Sequence, residues 1–90
     1  MYNSAAPSYI TITPAGVVVK EGESYTLTCD ADGDPAPLYE WFHKDTLIYT
    51  GKVLTISNAL YLNNDGLHTC KATNTKGYRQ TWEDVDVQCK

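Results

Sequence analysis

The sequence predicts an all-β fold, and three observations predict it. Several short segments alternate apolar residues with hydroxyl or charged ones: Tyr9-Ile10-Thr11-Ile12-Thr13, Tyr25-Thr26-Leu27-Thr28-Cys29 and Leu67-His68-Thr69-Cys70-Lys71-Ala72-Thr73. A two-residue period of this kind belongs to half-buried strands. Turn-forming residues separate the segments, at Pro14 to Gly16, Asp30 to Pro37 and Asn63 to Gly66. Finally, Cys29 and Cys70 each sit on an alternating segment, with Trp41 twelve residues after the first and twenty-nine before the second.

Taken in order, residues 1–8 are small and polar and read as a leader or inter-domain linker, followed by a domain over 9–88 and a linker stub at 89–90. Tyr9 to Thr13 stops at Pro14, as an edge strand does. Ala15-Gly16 makes a kink, and Val17-Val18-Val19-Lys20 resumes pairing. Glu21-Gly22-Glu23 turns into the Cys29 strand, where Tyr25, Leu27 and Cys29 share one face. Leu38 to His43 is the Trp41 strand, with Tyr39, Trp41 and His43 on one face and Glu40 and Phe42 on the other. Thr46 to Tyr49 forms a short strand, and Thr50-Gly51 turns almost directly into Val53-Leu54-Thr55-Ile56-Ser57. After the turn cluster Asn63-Asn64-Asp65-Gly66 comes the Cys70 strand. Thr75-Lys76-Gly77-Tyr78 is a hairpin turn and Arg79 to Gln88 the last strand. Val85 and Val87 share the core parity there, and Trp82 has the opposite one, on the outer face unless a bulge shifts it inward.

Four stretches carry a resemblance: Glu21-Gly22-Glu23-Ser24-Tyr25-Thr26-Leu27-Thr28-Cys29, Glu40-Trp41-Phe42, Leu54-Thr55-Ile56 and Asn64-Asp65-Gly66-Leu67-His68-Thr69-Cys70. Together they resemble an immunoglobulin-superfamily domain covering the whole chain. The resemblance implies an immunoglobulin-like two-sheet Greek-key sandwich, with one inter-sheet disulfide between Cys29 and Cys70 and the Trp41 indole against it. It places Leu27, Leu54, Ile56, Ala72, Val85 and Val87 with Trp41 in the core. Closing a loop of about 42 residues contributes roughly 4 kcal/mol in the chain-entropy model. The direct turn at Thr50-Gly51 leaves no room for a fourth strand on the smaller sheet. Sheets A-B-E and G-F-C-C′ in the family's lettering fit this, as in the C2 set; the intermediate set, which keeps a D strand, is the alternative. Members of the family usually carry Asp-x-Gly-x-Tyr-x-Cys before the second cysteine. Here Asn64, Gly66, His68 and Cys70 hold those positions, so His68 replaces the corner tyrosine and a weaker corner is expected.

The closing runs Ala72-Thr73-Asn74-Thr75-Lys76-Gly77 and Asp84-Val85-Asp86-Val87-Gln88 resemble the membrane-distal C2 repeats of sialic-acid-binding immunoglobulin-like lectins and related adhesion receptors. Those lectins bind sugar through an arginine of their first, variable-type domain. The matching strand here offers Leu67, Thr69 and Lys71 outward and no arginine, so no sialic acid binding is expected.

Bulk properties narrow the function further. Ninety residues make one domain, and a net charge of -4 with one arginine, Arg79, argues against a nucleic-acid partner. No apolar run is long enough to span a bilayer. No charged-then-apolar leader opens the chain, so Met1 reads as an expression start on an excised piece whose parent would carry any signal peptide or anchor. A cysteine pair at this spacing suggests an oxidising, extracellular home, although the chain has no Asn-x-Ser/Thr sequon.

Three features compete as sites. Asp30, Asp32 and Asp34 begin like a calcium loop, but Pro35 stands where such a loop needs glycine and Trp41 where it needs glutamate. That excludes an EF-hand and leaves a solvated turn, with a looser shared calcium site as the lesser alternative. His43 and His68 lack a neighbouring ligand pattern or nucleophile motif, so neither catalysis nor a cofactor is expected. The better candidate is the outward sheet face carrying Glu40, Phe42, Leu67, Lys71 and Trp82, with Tyr49 and Tyr78 near its edges. Aromatics beside charges suit a protein partner, homophilic or heterophilic, or a neighbouring immunoglobulin domain. Cys89, just past the last strand, is either an inter-domain or inter-chain bridge or a thiol exposed by truncation.

Overall fold

A computed structural model describes residues 4–89; Met1 and the last residue of the 89–90 stub lie outside it. Eight strands and one helical turn follow in order: β1 (Ile10–Thr13), β2 (Val17–Lys20), β3 (Tyr25–Ala31), β4 (Leu38–His43), β5 (Thr46–Thr50), β6 (Val53–Ile56), α1 (Tyr61–Asn64), β7 (Gly66–Asn74) and β8 (Gly77–Gln88). They form two sheets, β1-β3-β6 and β2-β8-β7-β4-β5. Every pairing is antiparallel except β2 with β8, where Val17 stands beside Val85 and Val19 beside Val87. The kink at Ala15-Gly16 thus moves the chain from one sheet to the other. Only Gly51 and Lys52 separate β5 from β6, so no strand intervenes there.

The sheets close on a core of Tyr25, Leu27, Cys29, Tyr39, Trp41, Leu54, Ala59, Cys70, Ala72, Val85 and Val87, with Ile56 partly buried against it. These residues obey the two-residue period: Tyr25, Leu27 and Cys29 are buried along β3, and Tyr39, Trp41 and His43 along β4. The disulfide joins Cys29 of the smaller sheet to Cys70 of the larger, with Cα atoms 6.5 Å apart. Trp41 stands directly opposite Cys70 on the neighbouring strand, so the fully buried indole lies beside the bridge.

Two places differ from the expectation. The cluster before β7 contains a four-residue helical turn, α1, with no apolar period of its own. From outside, the Glu21 carboxylate accepts the Tyr61 amide; within the turn, Asn64 Oδ1 accepts the Leu60 amide. The stretch read as a leader is tied to the sandwich in its described part. Ala5 and Asp34 exchange backbone hydrogen bonds, Asn74 donates to the Ala5 carbonyl, and Pro7 is buried.

Candidate protein-contact face

Strand register lays the outward residues of the larger sheet in rows. One row runs Leu47, Phe42, Thr69, Trp82 across β5, β4, β7 and β8; the next runs Thr50, Glu40, Lys71, Gln80. Directly opposite residues on antiparallel strands point to the same side, so each row is a set of touching neighbours. Trp82 is 61% exposed, on the outer face rather than turned inward. Leu67 and Tyr78 are also exposed, while Glu40, Phe42 and Lys71 are half-buried by their neighbours. The Lys71 ammonium sits 4.4 Å from the centre of the Tyr78 ring, a cation–π contact that holds both side chains down on the sheet. Between the rows lies a shallow depression of about 270 Å³ lined by Phe42, Asp45, Thr69, Lys71 and Gln80.

Tyr49 does not belong to this face. The register of β5 slips between Trp41 and Phe42: Phe42 pairs with Leu47, but Trp41 pairs with Tyr49, and Ile48 is the extra residue. This bulge turns Tyr49 to the side of Trp41, at the free edge, and puts Leu47 beside Phe42 instead. A Cβ added at Gly51 would stand 2.9 Å from the Tyr49 ring, so the glycine makes room for it. The bulge also has a protective effect. All five residues of β5 are exposed and none is charged, which is an edge prone to pairing with a second strand. A bulge bends and twists such an edge, which hinders a second strand from pairing along it.

The three aspartates of the 30–34 loop do not converge. Asp30 pairs with Lys52 at 3.1 Å. Asp32 accepts the Ser8 hydroxyl and the Ser8 and Tyr9 amides, and these bonds hold its carboxyl below the ordinary range. Asp34 is engaged through its backbone with Ala5. Among the described residues no group of three or more His, Cys, Asp or Glu side chains is placed to hold a metal ion.

The two histidines are buried together under the β7 end of the sandwich. His68, at the corner-tyrosine position, makes bonds of its own: its Nδ1 lies 3.0 Å from the Gly66 carbonyl and its Nε2 2.7 Å from the Tyr25 hydroxyl on the opposite sheet. His43 Nε2 lies 2.7 Å from the Asp65 carbonyl, and the Asp65 carboxylate accepts the Val87 amide. Sequence reading missed this link, because nothing in the chain between Tyr25 and His68 signals that they meet. Cys89 is exposed and free.

With two sheets pinned by Cys29–Cys70 and an indole on the pin, the comparisons with known proteins agree. A model of the immunoglobulin domain matches residues 7–74. The chain belongs to the immunoglobulin-domain family. Among its relatives are titin of Drosophila melanogaster, 31% identical over 94 residues, covering 92% of this chain and a share of titin that rounds to 0%. Protein turtle homolog B of Homo sapiens is 31% identical over 80 residues, covering 82% of this chain and 6% of its own length. A solved structure described as "Structural basis for Dscam isoform specificity" superposes with a TM-score of 0.80 at 20% identity, over 87% of this chain and 20% of that one. The chain therefore spans a small fraction of the curated relatives it matches, and this immunoglobulin domain is of the kind that multidomain proteins carry.

Proposed function

We propose that this immunoglobulin domain is an extracellular, C2-type module of a multidomain adhesion or recognition receptor, and that it meets protein partners through the outward face of the five-stranded sheet. The observation that carries this reading is the row Leu47, Phe42, Thr69, Trp82, largely apolar and exposed at its two ends, bordered by Glu40 and Lys71. Aromatic anchors set among charges are the composition of interface cores and rims. The disulfide supports an oxidising compartment. No arginine is present on β7, so the partner is read as protein rather than sialic acid. The relationship to titin favours a second reading, a structural repeat inside the cell, in which the cysteines would stay reduced.

Sedimentation equilibrium of the Cys89→Ser variant, from micromolar to near-millimolar concentration, tests the face. A homophilic contact shows as reversible dimerisation that Phe42→Ser or Trp82→Ser weakens at least tenfold, since a buried aromatic anchor is worth about 2 kcal/mol or more. Dimerisation indifferent to both substitutions would move the contact elsewhere. A strict monomer would favour a heterophilic partner or a spacer.

A further inference from the structure

The histidine pair is buried, hydrogen-bonded and unused by the contact face. We infer that His68, packed against His43, forms an acid-operated latch on the corner between α1 and β7, closed when its ring is neutral and released when it takes up a proton.

The bonding pattern sets the tautomers. A carbonyl only accepts, so His68 Nδ1 carries a hydrogen and donates to Gly66, and the bare Nε2 accepts the Tyr25 hydroxyl. By the same logic His43 donates from Nε2 to the Asp65 carbonyl. A proton added at His68 Nε2 meets an O–H that already points at it. Tyr25 would have to turn, leaving its own hydrogen without this acceptor inside the core. The Tyr25 phenol cannot offset this by ionising, since burial pushes its pKa up to about 12.

The surroundings compensate the charge only in part. From β4, the His43 ring lies with its centroid 4.8 Å away and opposes a positive neighbour. From the corner, the Asp65 carboxylate is occupied by the Val87 amide. From β8, Glu83 stands opposite His68 in register, but its carboxylate accepts the Gly16 amide, and Asp84 stands opposite Leu67 on the outward side. Burial therefore holds His68 below the ordinary histidine range, with His43 adding to the effect and the Gly66 bond, Asp84 and Asp65 opposing it.

A depressed folded pKa fixes the sign. Between that value and the unfolded value near 6.5 the unfolded chain binds more protons, so stability is full above pH 6.5 and falls as the pH drops below it. One proton gives a limit of tenfold per pH unit in the unfolding constant. Protonation of His68 acts directly on the tie to β3 through Tyr25, while the neighbouring ties to β4 through His43 and to β8 through Val87 run through Asp65.

Histidine-ring NMR on the 90-residue chain, with urea unfolding at pH 7.5 and 5.0, tests the latch. The expected result is a His68 ring that does not titrate near pH 6.5 while the fold persists. The unfolding constant should rise several-fold to about thirtyfold between the two pH values. His68→Tyr, or His68→Gln if tyrosine does not fit, should flatten that rise. A folded-state His68 titrating near 6.5, or an unfolding constant unchanged between the two pH values, would overturn the latch. An unchanged slope in the folded variant would do the same. Should neither variant fold, the wild-type ring titration decides alone.

Discussion

Trp41→Ala is expected to cost about 3–5 kcal/mol, a large share of the stability of a domain this size. The indole is fully buried, opposite Cys70 on the neighbouring strand, and its removal opens a void against the bridge that flanking strands cannot collapse into. Trp41→Phe should cost clearly less. The indole Nε1 is buried with no hydrogen-bond partner among the described residues, so the phenyl ring forfeits volume but no bond. Urea unfolding followed by tyrosine fluorescence or circular dichroism reads both variants. Equal losses for alanine and phenylalanine would mean that the indole is not acting by volume.

Removing the disulfide is expected to cost nearly as much. The bridge closes a loop with a sequence separation of 41, for which the chain-entropy model gives about 4 kcal/mol. A domain of this size shifts by roughly 4–8 °C per kcal/mol, so the double variant Cys29→Ala, Cys70→Ala should melt at least 15 °C lower. Scanning calorimetry at neutral pH checks it. A loss of only a few degrees would show that the sandwich holds its unfolded chain compact without the bridge, or that the sheets alone supply the stability. In the second case an intracellular life would be open to this fold.

Much of the architecture was legible because period-2 patterning and burial coincide. Tyr25, Leu27 and Cys29, and Tyr39, Trp41 and His43, are buried residues spaced two apart on strands that run as read. The short path from Thr50 to Val53 correctly left no extra strand. What escaped was set by contacts distant in sequence. The β5 bulge, which exchanges Leu47 for Tyr49 on the outward face, depends on pairing with β4 and leaves no residue signature. The α1 turn depends on Glu21, forty positions away from Tyr61. The histidine pair looked like two unrelated side chains until β3, β4 and β7 brought Tyr25, His43 and His68 together.

The extracellular reading rests on the state of three cysteines, and counting their thiols tests it most directly. Protein taken from its native source, trapped with an alkylating agent without reductant and then denatured, should carry at most one modified cysteine, Cys89. Cys29 and Cys70 should appear only after reduction, as the bridged pair seen between the sheets. Three modified cysteines before reduction would contradict an oxidised, cell-surface module and leave the intracellular structural repeat in its place.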